Sequence, residues 1–195
     1  MRDTTDFWSG AFGSDYTKRN RVDWRQRQPF WQSAIEYMHP ASVLEVGANA
    51  GWNLMALQAC DSSIDLAGID VNQTAVNEAR ANGLEVQLCD AMGLRGLHQS
   101  GSFDLVFTAG VLIHVPPTDL LPVMALIRDT SAKYVLAVEY AADEETEVEY
   151  RGHAGKLWKR PFGKLYQDLG LQLVAEVEGA EGFDNCTAWL LEKRT

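Results

Sequence analysis

Residues 42–51 read SVLEVGANAG, and this stretch decides the fold. Its first half is a short apolar run, rich in β-branched residues, that carries one acid, Glu45, and meets glycine at Gly47. Residues 52–60 then have the composition of a helix. A buried strand that turns through glycine into a helix is the opening unit of a layered α/β sheet.

The rest of the chain repeats this rhythm. Further strands are predicted at residues 64–69, 84–88, 103–107 and 134–139, and helices at 73–82 and 119–128. Strands that alternate with helices form βαβ units and a parallel sheet. Residues 171–177 and 186–192 flank a glycine-containing loop and predict a closing hairpin. We therefore predict an α/β open sheet of about seven strands, mostly parallel, with a C-terminal antiparallel hairpin.

Composition and charge narrow the function classes. The 195 residues carry 17 Lys and Arg against 27 Asp and Glu, a net charge of −10. Such an acidic surface repels phosphate backbones, so we expect no nucleic-acid partner. No apolar run approaches the roughly 20 residues of a membrane span. The three cysteines form no CxxC pair and the histidines lack metal-ligand spacing, which predicts reduced thiols, no metal and a cytoplasmic location.

The glycine turn discriminates between nucleotide ligands. A dinucleotide site requires G-x-G-x-x-G, in which the backbone approaches a pyrophosphate closely. Here Asn49 and Trp52 stand where the second and third glycines belong. The turn therefore favours a ligand without phosphates at this point.

Acidic residues follow the next two predicted strands, where ligands of open α/β sheets bind. Asp70 fits a ribose clamp that accepts hydrogen bonds from both hydroxyls; alternatively it caps the following helix, a role for which Asn72 competes. Asp90 is placed to accept from an adenine amine, while the backbone of Ala91 or Met92 serves a ring nitrogen. These positions suit an adenosine that carries a group other than phosphate, and S-adenosylmethionine is the common ligand of this kind.

Four ordered motifs carry a family resemblance. EVGANAG (45–51), GID (68–70), LCDAM (88–92) and FDLVFTAGVLIHV (103–115) resemble the motif series of class I S-adenosylmethionine-dependent methyltransferases, over residues 42–140. FWSGAFGSDYTKRN (7–20), YRGHAGKLWKRPFG (150–163) and TAWLLEK (187–193) also resemble the pseudaminic acid biosynthesis-associated methylases.

The resemblance implies a Rossmann-like methyltransferase domain over residues 41–195, preceded by an N-terminal helical cover over residues 1–40. A helix is predicted at 24–38 within the cover, and residues 141–164 form a lid or substrate insertion. In the insertion, residues 143–149 hold five acids and residues 151–164 hold five Lys or Arg. These blocks are either a solvated loop with internal ion pairs or a lid whose basic half receives an anionic substrate.

The resemblance also assigns the cofactor site. Glu45 and Gly47 would shape it, with Asn49 and Gly51 near the methionine part. The remaining residues expected around the cofactor are Tyr16 and Arg19 from the cover, Asp70 and Val71 at the ribose, Asp90, Ala91 and Met92 at the adenine, and Thr108, Ala109 and Gly110 at the sulfonium. The product would be S-adenosylhomocysteine.

Methyl transfer is an in-line displacement, and a base is needed only when the acceptor is a hydroxyl or a protonated amine. His114 is the first candidate base, although it also suits a structural bond to its own loop before Pro116; Glu139 and Tyr140 are its rivals. Candidate substrate-binding residues are Tyr150, Arg151, Lys156, Lys159 and Arg160, which would hold a carboxylate or phosphate or else form a solvated face.

These patterns predict a methyltransferase that acts on O or N of a small molecule, such as a sugar, a nucleotide sugar or an amino or amidino metabolite. Two alternatives stay open: a non-catalytic S-adenosylmethionine-binding module, and an NAD-dependent oxidoreductase. We expect a monomer or a homodimer.

Overall fold

A computed structural model of the protein describes residues 2–194. Nine strands are present in this part of the chain. They are β1 (Ser42–Val46), β2 (Asp65–Asp70), β3 (Glu85–Leu88), β4 (Phe103–Ala109), β5 (Ser131–Glu139), β6 (Thr146–Glu147), β7 (Trp158–Lys159), β8 (Leu171–Val177) and β9 (Thr187–Lys193).

Eight α-helices surround the strands within the same residues. They are α1 (Arg2–Ser9), α2 (Ala11–Arg19), α3 (Gln28–Met38), α4 (Trp52–Cys60), α5 (Gln73–Ala81), α6 (Leu94–Leu97), α7 (Pro117–Thr130) and α8 (Phe162–Asp168). Short 3-10 turns lie at Trp24–Arg27, Ala91–Gly93 and Leu112–His114.

Seven strands form one sheet in the order β3-β2-β1-β4-β5-β9-β8. The first five are parallel, and β9 runs antiparallel to both β5 and β8. This architecture confirms the predicted Rossmann-like open sheet and its antiparallel hairpin. The strand order reverses at β1 and β4, which places their carboxyl ends at the crevice where such sheets bind ligands.

Apolar side chains fill a layer on each side of the sheet. One layer joins α3, α4 and α5 to the sheet, and there the fully buried Trp31 packs 4.6 Å from Phe107. The other layer joins α7 and α8 to the opposite face through buried side chains such as Met124 and Tyr166. A sheet covered on both faces leaves only its strand ends open for a site.

The predicted single helix over residues 24–38 is wrong. The structure has a 3-10 turn at Trp24–Arg27 and begins α3 at Gln28. Pro29 explains the break, because a proline lacks an N–H and fits only the first turn of an α-helix. Asp23 caps the 3-10 turn by accepting from the Arg25 N–H at 3.2 Å.

The insertion after β5 contains a two-stranded hairpin, β6 and β7, which we call the hairpin arm (residues 146–159). Its tip is a tight turn in which Tyr150 and His153 exchange backbone hydrogen bonds of 2.9 and 3.0 Å. Arg151 and Gly152 have φ angles of 51° and 81°, as a two-residue hairpin turn of this kind requires.

No helix among residues 2–194 has the length and hydropathy needed to cross a membrane. The three cysteines are free: Cys186 is buried, while Cys60 and Cys89 are partly exposed.

Candidate functional site

A cavity of about 210 Å³ lies at the carboxyl ends of β1, β2 and β4, under α1 and α2. Half of the sequence-predicted site residues line it. These are Tyr16, Glu45, Gly47, Asn49, Asp70, Val71, Asp90, Ala91, Ala109, Gly110 and His114. Because they come from five separate segments, the sheet and the cover together build this site.

The glycine turn after β1 is held by close packing. Gly47 has a φ of 78°, and a Cβ there would lie 2.4 Å from a methyl group of Val111 in the loop after β4. Gly51 does not line the cavity; a Cβ there would lie 2.1 Å from Leu84. Gly51 therefore shapes the site indirectly, by letting α4 start close to the segment before β3.

Asp70 joins the two turns that border the cavity. One carboxylate oxygen accepts from the N–H of Asn49 and the other from the N–H of Asn72, both at 2.8 Å. Burial raises the pKa of Asp70, although these backbone bonds oppose the rise. Each carboxylate oxygen has a second lone pair, so Asp70 retains acceptor capacity for a ligand.

Asn72, and not Asp70, caps the helix that follows β2. Its side-chain oxygen accepts from the N–H groups of Thr74 and Ala75, at 2.9 and 3.2 Å. Its amide nitrogen donates to the carbonyl of Trp8 at 2.9 Å. One asparagine therefore starts α5 and also fastens the turn between α1 and α2 to the rim of the cavity.

Glu45 belongs to a series of hydrogen-bonded polar side chains, of which only Glu45 was predicted from the sequence. It is 1% exposed, and its Oε1 accepts from the Asn53 amide at 2.6 Å. The Asn53 oxygen accepts in turn from Arg27 Nη1 at 2.8 Å. Burial raises the pKa of Glu45 to about 8, opposed by the Asn53 hydrogen bond and by the Arg27 charge. Among the described residues, Glu45 Oε2 has no hydrogen-bond partner.

Arg27 and Asn53 both line the cavity and were not predicted. A basic composition over residues 18–27 was the only signal for Arg27, and it did not distinguish this arginine from Arg25. Asn53 stands next to the glycine turn, but its bond to Glu45 exists only in the folded structure.

The cavity also has an aromatic wall. The Trp8 indole of α1 packs 4.6 Å from the His114 imidazole and 5.3 Å from the Tyr16 ring. Burial raises the pKa of Tyr16 to about 12, and its hydroxyl accepts from Asn20 at 2.8 Å. Arg19 lies outside the cavity, exposed, with its guanidinium 4.9 Å from the Phe12 ring.

One ring nitrogen of His114 forms a hydrogen bond within the protein. Its Nδ1 lies 2.5 Å from the carbonyl oxygen of Lys156, so Nδ1 carries the proton and Nε2 is left as an acceptor. Burial lowers the pKa of His114 to about 4, which keeps the ring neutral at neutral pH. Its partner is therefore the hairpin arm and not its own loop before Pro116.

The two other candidate bases lie outside the cavity. Glu139 is 0% exposed and accepts from the N–H groups of Val111 and Leu112 at 3.1 Å and of Ile113 at 3.4 Å. Burial raises the pKa of Glu139 to about 7. Its carboxylate therefore holds the loop that carries His114. Tyr140, the next residue, lines a different cleft.

The basic residues of the insertion have separate environments. Lys156 is nearly buried and bonds Asp3 at 2.6 Å. Arg160 is 1% exposed and donates to Glu145 at 2.8 Å and to the Leu112 carbonyl at 3.0 Å. The Arg160–Glu145 pair joins the two charge blocks, as the ion-pair interpretation predicts, whereas Lys156 pairs with Asp3 of α1, outside both blocks.

The other candidates divide between surface and core. Arg151 is exposed at the tip of the hairpin arm, and Tyr150 and Lys159 line the second cleft. Met92 is 41% exposed and Thr108 is fully buried; neither lines the cavity. Among residues 2–194, no three His, Cys, Asp or Glu side chains are grouped to hold a metal ion.

A comparison with protein-family models matches residues 43–133 to a family described as a methyltransferase domain. The matched segment runs from β1 into β5 and contains Glu45, Asp70, Asp90 and His114. This part of the chain is therefore similar to a methyltransferase domain. A comparison with curated proteins found no match.

Solved structures share the fold over nearly the whole chain. Magnesium protoporphyrin IX methyltransferase from Synechocystis PCC 6803, solved with bound S-adenosylmethionine, is 14% identical with a TM-score of 0.71, covering 99% of this chain and 96% of that chain. The Burkholderia thailandensis 1,6-didemethyltoxoflavin-N1-methyltransferase, solved with its substrate and S-adenosylhomocysteine, is 16% identical with a TM-score of 0.70, covering 94% and 86%. A methyltransferase dependent on S-adenosylmethionine from Aquifex aeolicus is 17% identical with a TM-score of 0.67, covering 93% and 98%.

Proposed function

We propose that this protein transfers a methyl group from S-adenosylmethionine to O or N of a small-molecule acceptor. The match of residues 43–133 to a methyltransferase domain supports this proposal. One observation carries the proposal. The cavity at the strand ends combines three carboxylates, Glu45, Asp70 and Asp90, with one guanidinium, Arg27. That set of charges matches the polar groups of S-adenosylmethionine.

The residues present fit this cofactor group by group. Its ribose hydroxyls and adenine amine are hydrogen-bond donors, which suit Asp70 and Asp90. Its amino acid tail carries an ammonium and a carboxylate, which suit Glu45 and Arg27. The buried Oε2 atom of Glu45 supports this assignment, since a buried acceptor without a partner is costly unless a ligand provides one.

The turn after β1 supports this cofactor over a dinucleotide. Asn49 and Trp52 both line the cavity at the positions where a dinucleotide fold has glycine. Their side chains occupy space that the backbone of a G-x-G-x-x-G turn leaves for a pyrophosphate.

S-adenosylmethionine, when bound, supplies a methyl group that its sulfonium already activates for displacement. The protein then has to position the acceptor and, where the acceptor is a hydroxyl or a protonated amine, remove its proton. We assign proton removal to His114, because its ring is neutral and its Nε2 is the nitrogen left to accept. Glu139 has a positioning role, since it fixes residues 111–113 and through them His114.

A small acceptor suits a site that lies beneath two helices. α1 and α2 lie over the cavity, and Asn72 fastens their connecting turn to its rim. Two enzymes of the same fold are named for a porphyrin and for a toxoflavin precursor, and both compounds are small molecules. The likeness to the pseudaminic acid biosynthesis-associated methylases favours a sugar or nucleotide sugar, and that acceptor class belongs to the proposal.

Calorimetric titration with S-adenosylhomocysteine, with NADH as the control, tests the cofactor assignment. We expect binding of the first ligand alone. Asp70→Ala weakens that binding by about 1.5–3 kcal/mol, the scale of hydrogen bonds to a charged group. Asp65→Ala is the matched control, because Asp65 is exposed at the other end of the same strand.

Two outcomes would contradict the proposal. Binding of NADH alone would favour an oxidoreductase. Binding of S-adenosylhomocysteine without methylation of any sugar, nucleotide sugar or small amine would leave a non-catalytic binding module.

A further inference from the structure

A second cleft, of about 270 Å³, adjoins the candidate site at the carboxyl end of β5. Tyr140 and Ala141 follow β5 and form one side, and residues of the hairpin arm form the other. Asn185, from the loop before β9, completes the lining. No step of the proposed function has used this cleft.

The pleat of the hairpin arm explains which side chains face the cleft. Thr146 pairs with Lys159, and the Val148 N–H donates to the Leu157 carbonyl, so these four residues are cross-strand neighbours on one face. Val148, Leu157 and Lys159 line the cleft. Glu149, which follows the paired part of the hairpin arm, also borders the cleft.

Lys159 is the cation that the protein leaves for a ligand here. Within residues 2–194 it has no carboxylate within ion-pair distance, whereas Lys156 pairs with Asp3 and Arg160 with Glu145. Its Nζ lies 5.9 Å from the centre of the Tyr140 ring. The ammonium group is therefore held over an aromatic side chain that lines the same cleft.

The cleft lies close to the proposed point of methyl transfer. Tyr150 lines the cleft, and its ring is 4.9 Å from the His114 ring, which lines the cofactor cavity. One aromatic side chain thus separates the two spaces. Tyr150 therefore contacts both the cleft and the His114 wall of the cofactor cavity.

We propose that the second cleft binds the methyl acceptor, and that the acceptor is an anion. Its carboxylate or phosphate group pairs with Lys159 and accepts from the Asn185 amide, while its ring or sugar body lies against Tyr140 and Tyr150. This inference rests on the proposed function and adds the chemical class of the acceptor. It assigns the anion to Lys159, since Lys156 and Arg160 already bind partners within the protein.

Small anionic probes test the cleft before the acceptor is known. Nuclear magnetic resonance titrations of the full chain, saturated with S-adenosylhomocysteine, would use benzoate and phenyl phosphate, with benzyl alcohol as the neutral probe. We expect both anions to shift the amide signals of residues 140–141, 148–150, 157–159 and 185. Benzyl alcohol should bind at least about tenfold more weakly, because it lacks the charge that pairs with Lys159.

Two variants identify the cation. Lys159→Gln should raise the dissociation constants of both anions about tenfold or more and leave that of benzyl alcohol unchanged. Lys164→Gln is the matched control and should change neither, because Lys164 lies exposed on α8 beside Asp168.

The possible failures are distinguishable. If S-adenosylhomocysteine binds but the anions shift no signal around the cleft, the acceptor assignment is overturned and the proposed function stands. Equal binding of benzyl alcohol and the anions, or unchanged anion binding in Lys159→Gln, overturns the anionic class. If S-adenosylhomocysteine itself does not bind, the proposed function falls, and this inference falls with it.

Discussion

The Nη1 atom of Arg27 lies 2.8 Å from the side-chain oxygen of Asn53. This bond connects the segment before α3 to the first turn of α4, and Asn53 extends the connection to Glu45 in β1. A guanidinium and a carboxyl group therefore stand at the two ends of one hydrogen-bonded chain. An amino acid tail presents the complementary pair of charges.

Arg27→Met tests the cationic end of this chain. We expect S-adenosylhomocysteine binding to weaken by about 1.5–3 kcal/mol, because the ligand carboxylate loses a charged hydrogen-bond donor. Calorimetric titration measures the change. Arg25→Met is the control, since Arg25 lies in the same 3-10 turn but is exposed, 3.5 Å from Asp23. Equal loss in both variants would point to a structural effect of the turn.

The raised pKa of Glu45 predicts a pH dependence of cofactor binding. Because that pKa is about 8, most of the Glu45 population is protonated at pH 6.5, and a ligand ammonium favours the ionised form. The affinity for S-adenosylhomocysteine should therefore rise between pH 6.5 and 8, by at most about tenfold per pH unit. Calorimetry in buffers of different ionisation heats should also show proton release. In Glu45→Gln both effects should be absent.

Glu139→Gln tests the loop beneath His114. At pH 8, above the pKa of about 7, the native carboxylate accepts three backbone N–H groups, and an amide places a donor against one of them. We expect the free energy of unfolding to fall by about 1–3 kcal/mol. Denaturant titration measures the loss. Glu192→Gln, which removes a surface ion pair with Lys133, should cost less than about 1 kcal/mol.

The sheet and part of the site are predictable because their signals are local. Apolar runs broken by glycine predict the strands, and the chain position of Asp70 and Asp90 after two of them places both at the sheet's ligand edge. Arg27 was not predictable in this way. Its role depends on Asn53, 26 residues later, which only the folded chain brings within hydrogen-bonding distance.

The roles of the basic residues of the insertion were also not fully predictable from the sequence. In the sequence, Lys156, Lys159 and Arg160 have equivalent claims to an anionic substrate. In the structure, Asp3 binds the first of them and Glu145 binds the third, and Lys159 alone of the three borders a cleft. Asp3 lies 153 residues from Lys156 in the chain, so charge patterning did not reveal that pair, whereas Glu145 belongs to the acidic block 15 residues before Arg160.

The lowered pKa of His114 makes stability depend on pH. The native ring stays neutral down to about pH 4, whereas in the unfolded chain it titrates near the usual imidazole pKa of about 6.5. Between these values the unfolded state binds the extra proton, so the free energy of unfolding falls with falling pH, by at most about 1.4 kcal/mol per unit. Denaturant titrations between pH 7 and 4 should show a shallower fall in His114→Asn than in the wild type. His39→Asn is the control, because His39 is exposed in a left-handed conformation that asparagine tolerates, and it should retain the wild-type slope. A wild-type slope in His114→Asn would instead mean that burial does not lower the pKa of this imidazole in the folded protein.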